Sequence, residues 1–250
     1  MIKFFRHIRQ NLLSEGKTSP NDSVGRAGRY LKYAIGEIVL VVIGILIALQ
    51  INNWNNDRND RKLEKHYLAG LINDLKSDSI AVSDLKTMSN EQVRRKEKLY
   101  EYFDGYQFSK DSIAYFFAMQ WGMPVGFVPN TATIDEMRSA GGISLIGKQD
   151  IRKKIIELYN TYQEFINGDQ AYYERNRFEL RKLAFKIPNV FDKESLKNAI
   201  EPDIVDALKN DELRNSVMAN YAFGVNNELK VLQEENAELL KLLTTYLSEL

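Results

Sequence analysis

The sequence predicts an all-α protein with one membrane-spanning helix, on three observations. Ile38 to Leu49 form an unbroken apolar run of twelve residues that no other stretch of the chain matches. No proline occurs between Pro20 and Pro124, so nothing there forces a helix to stop. Beyond the run, apolar residues recur at spacings of three and four, and strand-type alternation never persists. The expected architecture is a short cytoplasmic amphipathic helix, one transmembrane helix, and an exported multi-helix bundle with a long stalk helix. The expected boundaries are a cytoplasmic basic segment 1–29, a transmembrane helix 30–54 and an extracytoplasmic α-helical domain 55–250.

Residues 2–13 place Ile2, Phe5, Ile8 and Leu12 near one helical face, with Lys3, Arg6 and Arg9 mainly elsewhere. That suits a basic helix lying on an anionic inner leaflet, or a stub that only satisfies topology. Residues 14–28 read as a loop. The span proper runs from Ala34 to Ile51, 18 residues interrupted only by Glu37 and Gln50, against the roughly 17 to 25 needed to cross hydrocarbon. Tyr30, Tyr33 and Trp54 bracket it at headgroup depth. A long basic lead-in and no small-residue pair after Leu49 mark an uncleaved signal-anchor rather than a cleaved signal.

Charge sets the direction. Residues 1–33 hold seven basic and two acidic residues, a net of +5, and the remaining 217 carry −5, hidden within a neutral total. Basic residues stay in the cytoplasm, so the N-terminus is inside and the large part is exported. Arg58, Arg61, Lys62 and Lys65 on the far flank pull against this. The absence of cysteine is compatible with export, and the domain must then be held by its core.

The helix is expected to continue as a stalk through about Phe103, with Leu63, Tyr67, Leu71 and Leu75 spaced by four; Asn52, Asn53, Asn55 and Asn56 favour a hinge instead. Ten of the 27 aromatics fall between Tyr100 and Phe127, as bundle core or as the lining of an apolar pocket. Thr133 to Glu136 fits a capping box, opening a helix that stops at Gly141-Gly142. A long amphipathic helix follows from Asp150 to about Ile187, ended by Pro188, and then a short segment around 193–209. The last helix, from about Glu212, carries a heptad seam: Met218, Ala222, Val225, Leu229, Leu232, Asn236, Leu239, Leu243, Tyr246 and Leu250. Leu229, Leu232, Asn236, Leu239 and Leu243 are the candidate self-association seam, as in a coiled coil whose lone Asn fixes register. Leu240, Leu242 and Leu247 widen the face and favour packing inside a bundle.

Catalytic, cofactor and metal residues are assigned to none. Two histidines, His7 and His66, and no cysteine leave no zinc set. Gly142 to Gln149 mimics a phosphate loop, but Gln149 stands where Ser or Thr must hold magnesium. Asp135/Glu136 and Glu234/Glu235 are adjacent pairs that do not face each other. The negative charge beyond residue 33 argues against nucleic acid as a partner. Glu37 is an ionisable group near hydrocarbon, either functional or snorkelling toward Lys32 and Tyr33. Gly44 and Ala48 are spaced for close packing of two spans.

Tyr30 to Asn55 resembles, nearly residue for residue, the opening of an uncharacterised family of single-pass proteins from flavobacteria and their relatives, carried by Glu37, Gly44, Gln50, Asn52, Asn53 and Trp54. Met1 to Arg6, the helix around Tyr67 to Leu75, and Thr133 to Ile146 followed by Arg152 are similar too. The resemblance implies a bacterial inner (cytoplasmic) membrane and a periplasmic domain, and supplies no substrate or catalytic residue. The function expected is a periplasmic helical interaction, sensory or scaffold module whose partners are the lipid bilayer and a second copy or another membrane or periplasmic protein. The alternatives are a membrane-tethered enzyme of unrecognised type, using acids and tyrosines around 100–136, and an accessory subunit of a membrane complex or transporter.

Overall fold

The computed structural model describes residues 23–122, 126–187 and 204–250, with side chains from residue 34 onward. The expected cytoplasmic helix at 2–13 lies outside them. Every regular element among the described residues is helical: α1 (Ser23–Phe103), α2 (Lys110–Gly122), α3 (Ala132–Ala140), a 3-10 turn (Gly142–Leu145), α4 (Gln149–Phe165), a π-helical turn (Ile166–Gln170), α5 (Ala171–Ala184), α6 (Ile204–Ala207), α7 (Asp211–Ala219) and α8 (Ala222–Glu249). Asn52, Asn53, Asn55 and Asn56 are helical.

Contacts divide the chain at Asn59/Asp60 into two units. In the first, residues 34–59 are exposed throughout, and the apolar side chains from Ile35 to Ile51 touch no core. The second, residues 60–250, is a bundle. The expected stalk is a bundle helix in its own right: Tyr67, Leu68, Leu71, Ile72, Leu75 and Val82 of α1 are buried.

Those residues join Phe127, Ile134, Met137, Ile146, α4 and the Val225–Tyr246 face of α8 in one apolar cluster, the near core. Leu99, Ile113, Phe116, Phe117, Leu180, Ala184, Ile204, Leu208, Leu213 and Val217 form a second, the far core. The aromatic-dense stretch is mostly shared between them: Phe127 belongs to the near core, while Phe116 and Phe117 are buried in the far core with Tyr102, Phe103, Phe108 and Trp121 against it. Tyr106 and Tyr115 are exposed.

Other expectations need amendment, beginning with the loop expected over 14–28, which is helical from Ser23 onward. The last helix breaks at Asn220–Tyr221 into α7 and α8, and Met218 and Leu250 of the seam are exposed. The helix from Asp150 buries the expected Ile151, Ile155, Leu158, Tyr162 and Phe165 but widens into the π turn at Ile166. Thr133 builds no capping box: α3 begins at Ala132, Thr131 is its N-cap, and that residue makes no side-chain cap. Its other end is as expected, with Gly141 left-handed at φ 70° and its N–H donating to Met137 O. Gly142 to Gln149 is a helix–turn–helix connection.

Candidate functional site

Two buried polar constellations on α1 are the sites that the fold assembles. The first holds residues 130–147 against the helix. Tyr67, Gly70, Asp74 and Asp78 lie along one face of α1 by their spacing, and Asp74 and Asp78 are 7% and 2% exposed. A helix start leaves backbone N–H groups without intrahelical acceptors, and α3 meets that need from another helix. Thr133 N donates to Asp74 Oδ2 at 3.1 Å, and Asn130 N donates to Asp78 Oδ1 at 2.8 Å. Negative charge at a helix N-terminus also complements its dipole.

Gly70 permits the approach, since a Cβ there would stand 2.7 Å from Thr133 Oγ1. A Cβ on Gly142 would meet Tyr67 Cε2 at 2.4 Å. At the far end of the segment, Glu64 Oε1 accepts from Gly147 N at 2.7 Å and from the Tyr246 hydroxyl at 2.6 Å. The Tyr67–Leu75 and Thr133–Ile146 stretches, 59 residues apart at the Asp74–Thr133 bond, are therefore one packed unit.

Asp78 stands out chemically. Its Oδ2 is buried without a hydrogen-bond partner. Burial pushes its carboxyl up to about 6, aided by the charge of Asp74 and opposed by the Asn130 N–H. Burial likewise raises the Tyr159 and Tyr162 phenols. Tyr162 Oη accepts from Asn236 Nδ2 at 2.7 Å, and Leu75 O accepts from the same amide at 3.1 Å. The seam Asn thus ties α8 to α4 and α1 within one chain. Leu229, Leu232, Leu239 and Leu243 are at most 3% exposed in the near core, so the candidate self-association seam is occupied intramolecularly.

The second constellation is built around Lys96, 1% exposed. Its Nζ donates to Asn220 O and Oδ1, both at 2.6 Å, and sits 5.6 and 5.3 Å from the ring centroids of Tyr100 and Phe223. Burial pulls its ammonium down to about 8. Asn220 Nδ2 donates to Gln120 Oε1 at 3.0 Å, and Gln92 Nε2 donates to Tyr173 Oη at 2.7 Å. Nearby, Asn226 Nδ2 donates to Ser89 Oγ at 3.1 Å, and Lys86 Nζ donates to Asn226 Oδ1 at 2.7 Å.

The sequence pattern points to neither constellation. The available signal was charged and amide residues (Asp74, Asp78, Gln92, Lys96) standing on the helical stripe that also carries Leu71, Leu75 and Leu99. The residues that the sequence pattern does point to lie elsewhere. Ala34, Glu37, Gly44, Ala48, Gln50 and Trp54 are exposed on the first unit, and nothing lies within 4 Å of a Cβ built on Gly44. Arg58 stacks over the Trp54 ring at 6.0 Å. Asp135 pairs with Arg138 at 3.5 Å on an exposed face, and Glu136 is exposed beside it. No group of three or more His, Asp or Glu placed to hold a metal exists among the described residues. A shallow depression lined by Gln149, Arg152, Lys153, Ile156 and Glu157 draws its whole lining from α4.

These features define an all-α protein in which, among the described residues, one helix near the N-terminus is long and apolar enough to cross a membrane. The chain belongs to a family of unknown function, DUF6090, whose family model matches residues 37–218. No curated protein and no solved structure matches it.

Proposed function

We propose that this is a single-pass protein of the bacterial inner membrane, N-terminus in the cytoplasm, whose periplasmic bundle is an interaction or sensory module. The observation that carries the reading is the bare apolar helix from Ala34 to Ile51, every residue exposed. No charged residue occurs from Ile38 to Asn56, a length of about 28 Å at 1.5 Å per residue, against a hydrocarbon core of about 30 Å. The +5 lead-in supports the orientation. Exposed Phe178 and Phe185, seven residues apart and so on one side at the end of α5, support a partner-binding bundle.

Fusions behind Leu250 test the topology. An alkaline phosphatase reporter should be active and a green fluorescent protein dark, with the chain retained in membranes through carbonate. A bright, cytosolic fluorescent fusion would reverse the orientation, and release by carbonate would remove the span. Crosslinking followed by affinity purification should recover a second copy or a specific membrane or periplasmic protein. If copies pair through the span, Gly44→Ile with Ala48→Ile abolishes that pairing.

A further inference from the structure

The chain passes between the near and far cores four times; three of the crossings carry a buried polar residue, and the one on α5 carries a buried polar atom. On α1, every buried residue between Val82 and Leu99 is polar: Ser89, Gln92 and Lys96, each 1% exposed. Between Phe117 and Phe127 it is Gln120, wholly buried. On α5 no residue between Tyr173 and Leu180 is buried as a whole, and the Asn176 Nδ2 atom is buried without a partner. Between Val217 and Val225 it is Asn220, at the break separating α7 from α8.

These groups bond chiefly to one another, Gln92 to Tyr173, Gln120 to Asn220 and Asn220 to Lys96. Gln92 Nε2 also reaches Gln120 O at 3.5 Å, so Tyr173, Gln92, Gln120, Asn220 and Lys96 form one hydrogen-bonded chain, a layer between the two apolar clusters, with Ser89 and Asn176 outside it. The π turn, a geometry that often marks functional sites, lies just before Tyr173 where the α4–α5 rod approaches that layer.

Cohesion across such a layer differs from cohesion within a core. Parting an apolar core exposes hydrocarbon to water, which scales with area and is costly. Parting a hydrogen-bonded layer exchanges protein partners for water, at a small net difference per bond. The weakest plane through residues 60–250 is therefore the polar one. We propose that this layer is a seam along which the far core (α2, the end of α5, α6 and α7) opens as its own cooperative unit while the near core stays folded. Such an element gives the bundle two states, which a sensory or partner-binding module requires. The inference stands on residues 60–250 alone and does not depend on the membrane placement.

Hydrogen exchange on the full-length chain in lipid nanodiscs, across a series of low urea concentrations, tests it. Peptides from 110–122, 180–187 and 204–219 should lose protection together, at lower urea than peptides from 67–82, 151–165 and 229–246. Leu99→Ala, a far-core truncation, should speed exchange of the far-core peptides at least about 30-fold and leave the near-core midpoint where it was. A single midpoint for both sets, or an equal shift of both on Leu99→Ala, would overturn the seam.

Discussion

Asp78→Asn isolates what a lone buried carboxylate does to this fold. Asp78 is 2% exposed, with one oxygen on Asn130 N and the other without a partner. Its carboxyl titrates near 6 in the fold against 3.8 for the free group. That gap of about two pH units corresponds to at most about 3 kcal/mol at 1.36 kcal/mol per unit. The folded chain holds this proton more tightly than the unfolded one, so stability falls as pH rises from about 4 through 6 and is level above. Asparagine keeps the acceptor for Asn130 N and cannot ionise. Its buried amide N–H₂ imposes a cost that does not change with pH. The difference in unfolding free energy, variant minus wild type, should thus rise by about 2 to 3 kcal/mol between pH 3.5 and pH 7.5. Urea denaturation of the full chain in detergent, followed by circular dichroism at several pH values, measures it. A difference independent of pH would refute the account of Asp78 as a desolvated acid.

Lys96 titrates in the opposite sense. Its folded value near 8 lies below 10.5, so the fold releases this proton more readily than the unfolded chain, and the group's contribution to stability rises from about pH 8 to 10.5. The unfolding free energy of wild type minus that of Lys96→Gln should rise over that range, other titrating groups cancelling in the difference. Gly142→Ala drives a Cβ into the Tyr67 ring and should lower the unfolding free energy by about 1 to 3 kcal/mol; Gly126→Ala, where the Cβ meets nothing within 4 Å, is the control. Asn236→Ala strips partners from Tyr162 Oη and Leu75 O and should cost about 2 to 3 kcal/mol. An unchanged urea midpoint would contradict that role.

Where sequence reading and structure agree, the information was local. The α4 stripe Ile151, Ile155, Leu158, Tyr162 and Phe165 is buried as its spacing implies, because a helix repeats its own face every 3.6 residues. The α8 heptad is buried from Ala222 to Tyr246 for the same reason. Two of the departures occur where a distant group replaces a local one. Thr133 lies in a capping-box pattern, yet Asp74, 59 residues earlier, supplies the acceptor. Likewise the heptad Asn is a recognised register device, but only packing could show that its partners are Leu75 and Tyr162 of the same chain.

The sequence by itself determined that the chain is helical, that it carries one apolar helix long enough to cross a bilayer, and which faces turn inward. Hydrophobic periodicity and backbone hydrogen bonding are properties of neighbouring residues, so they can be read along the chain. Only the tertiary structure decided that α1 enters the bundle, that Asp74 and Asp78 hold α3, and that Lys96 and its amides divide two cores. Those outcomes depend on partners 52 to 124 residues apart, and their pairing is set by the shape and burial of the folded whole.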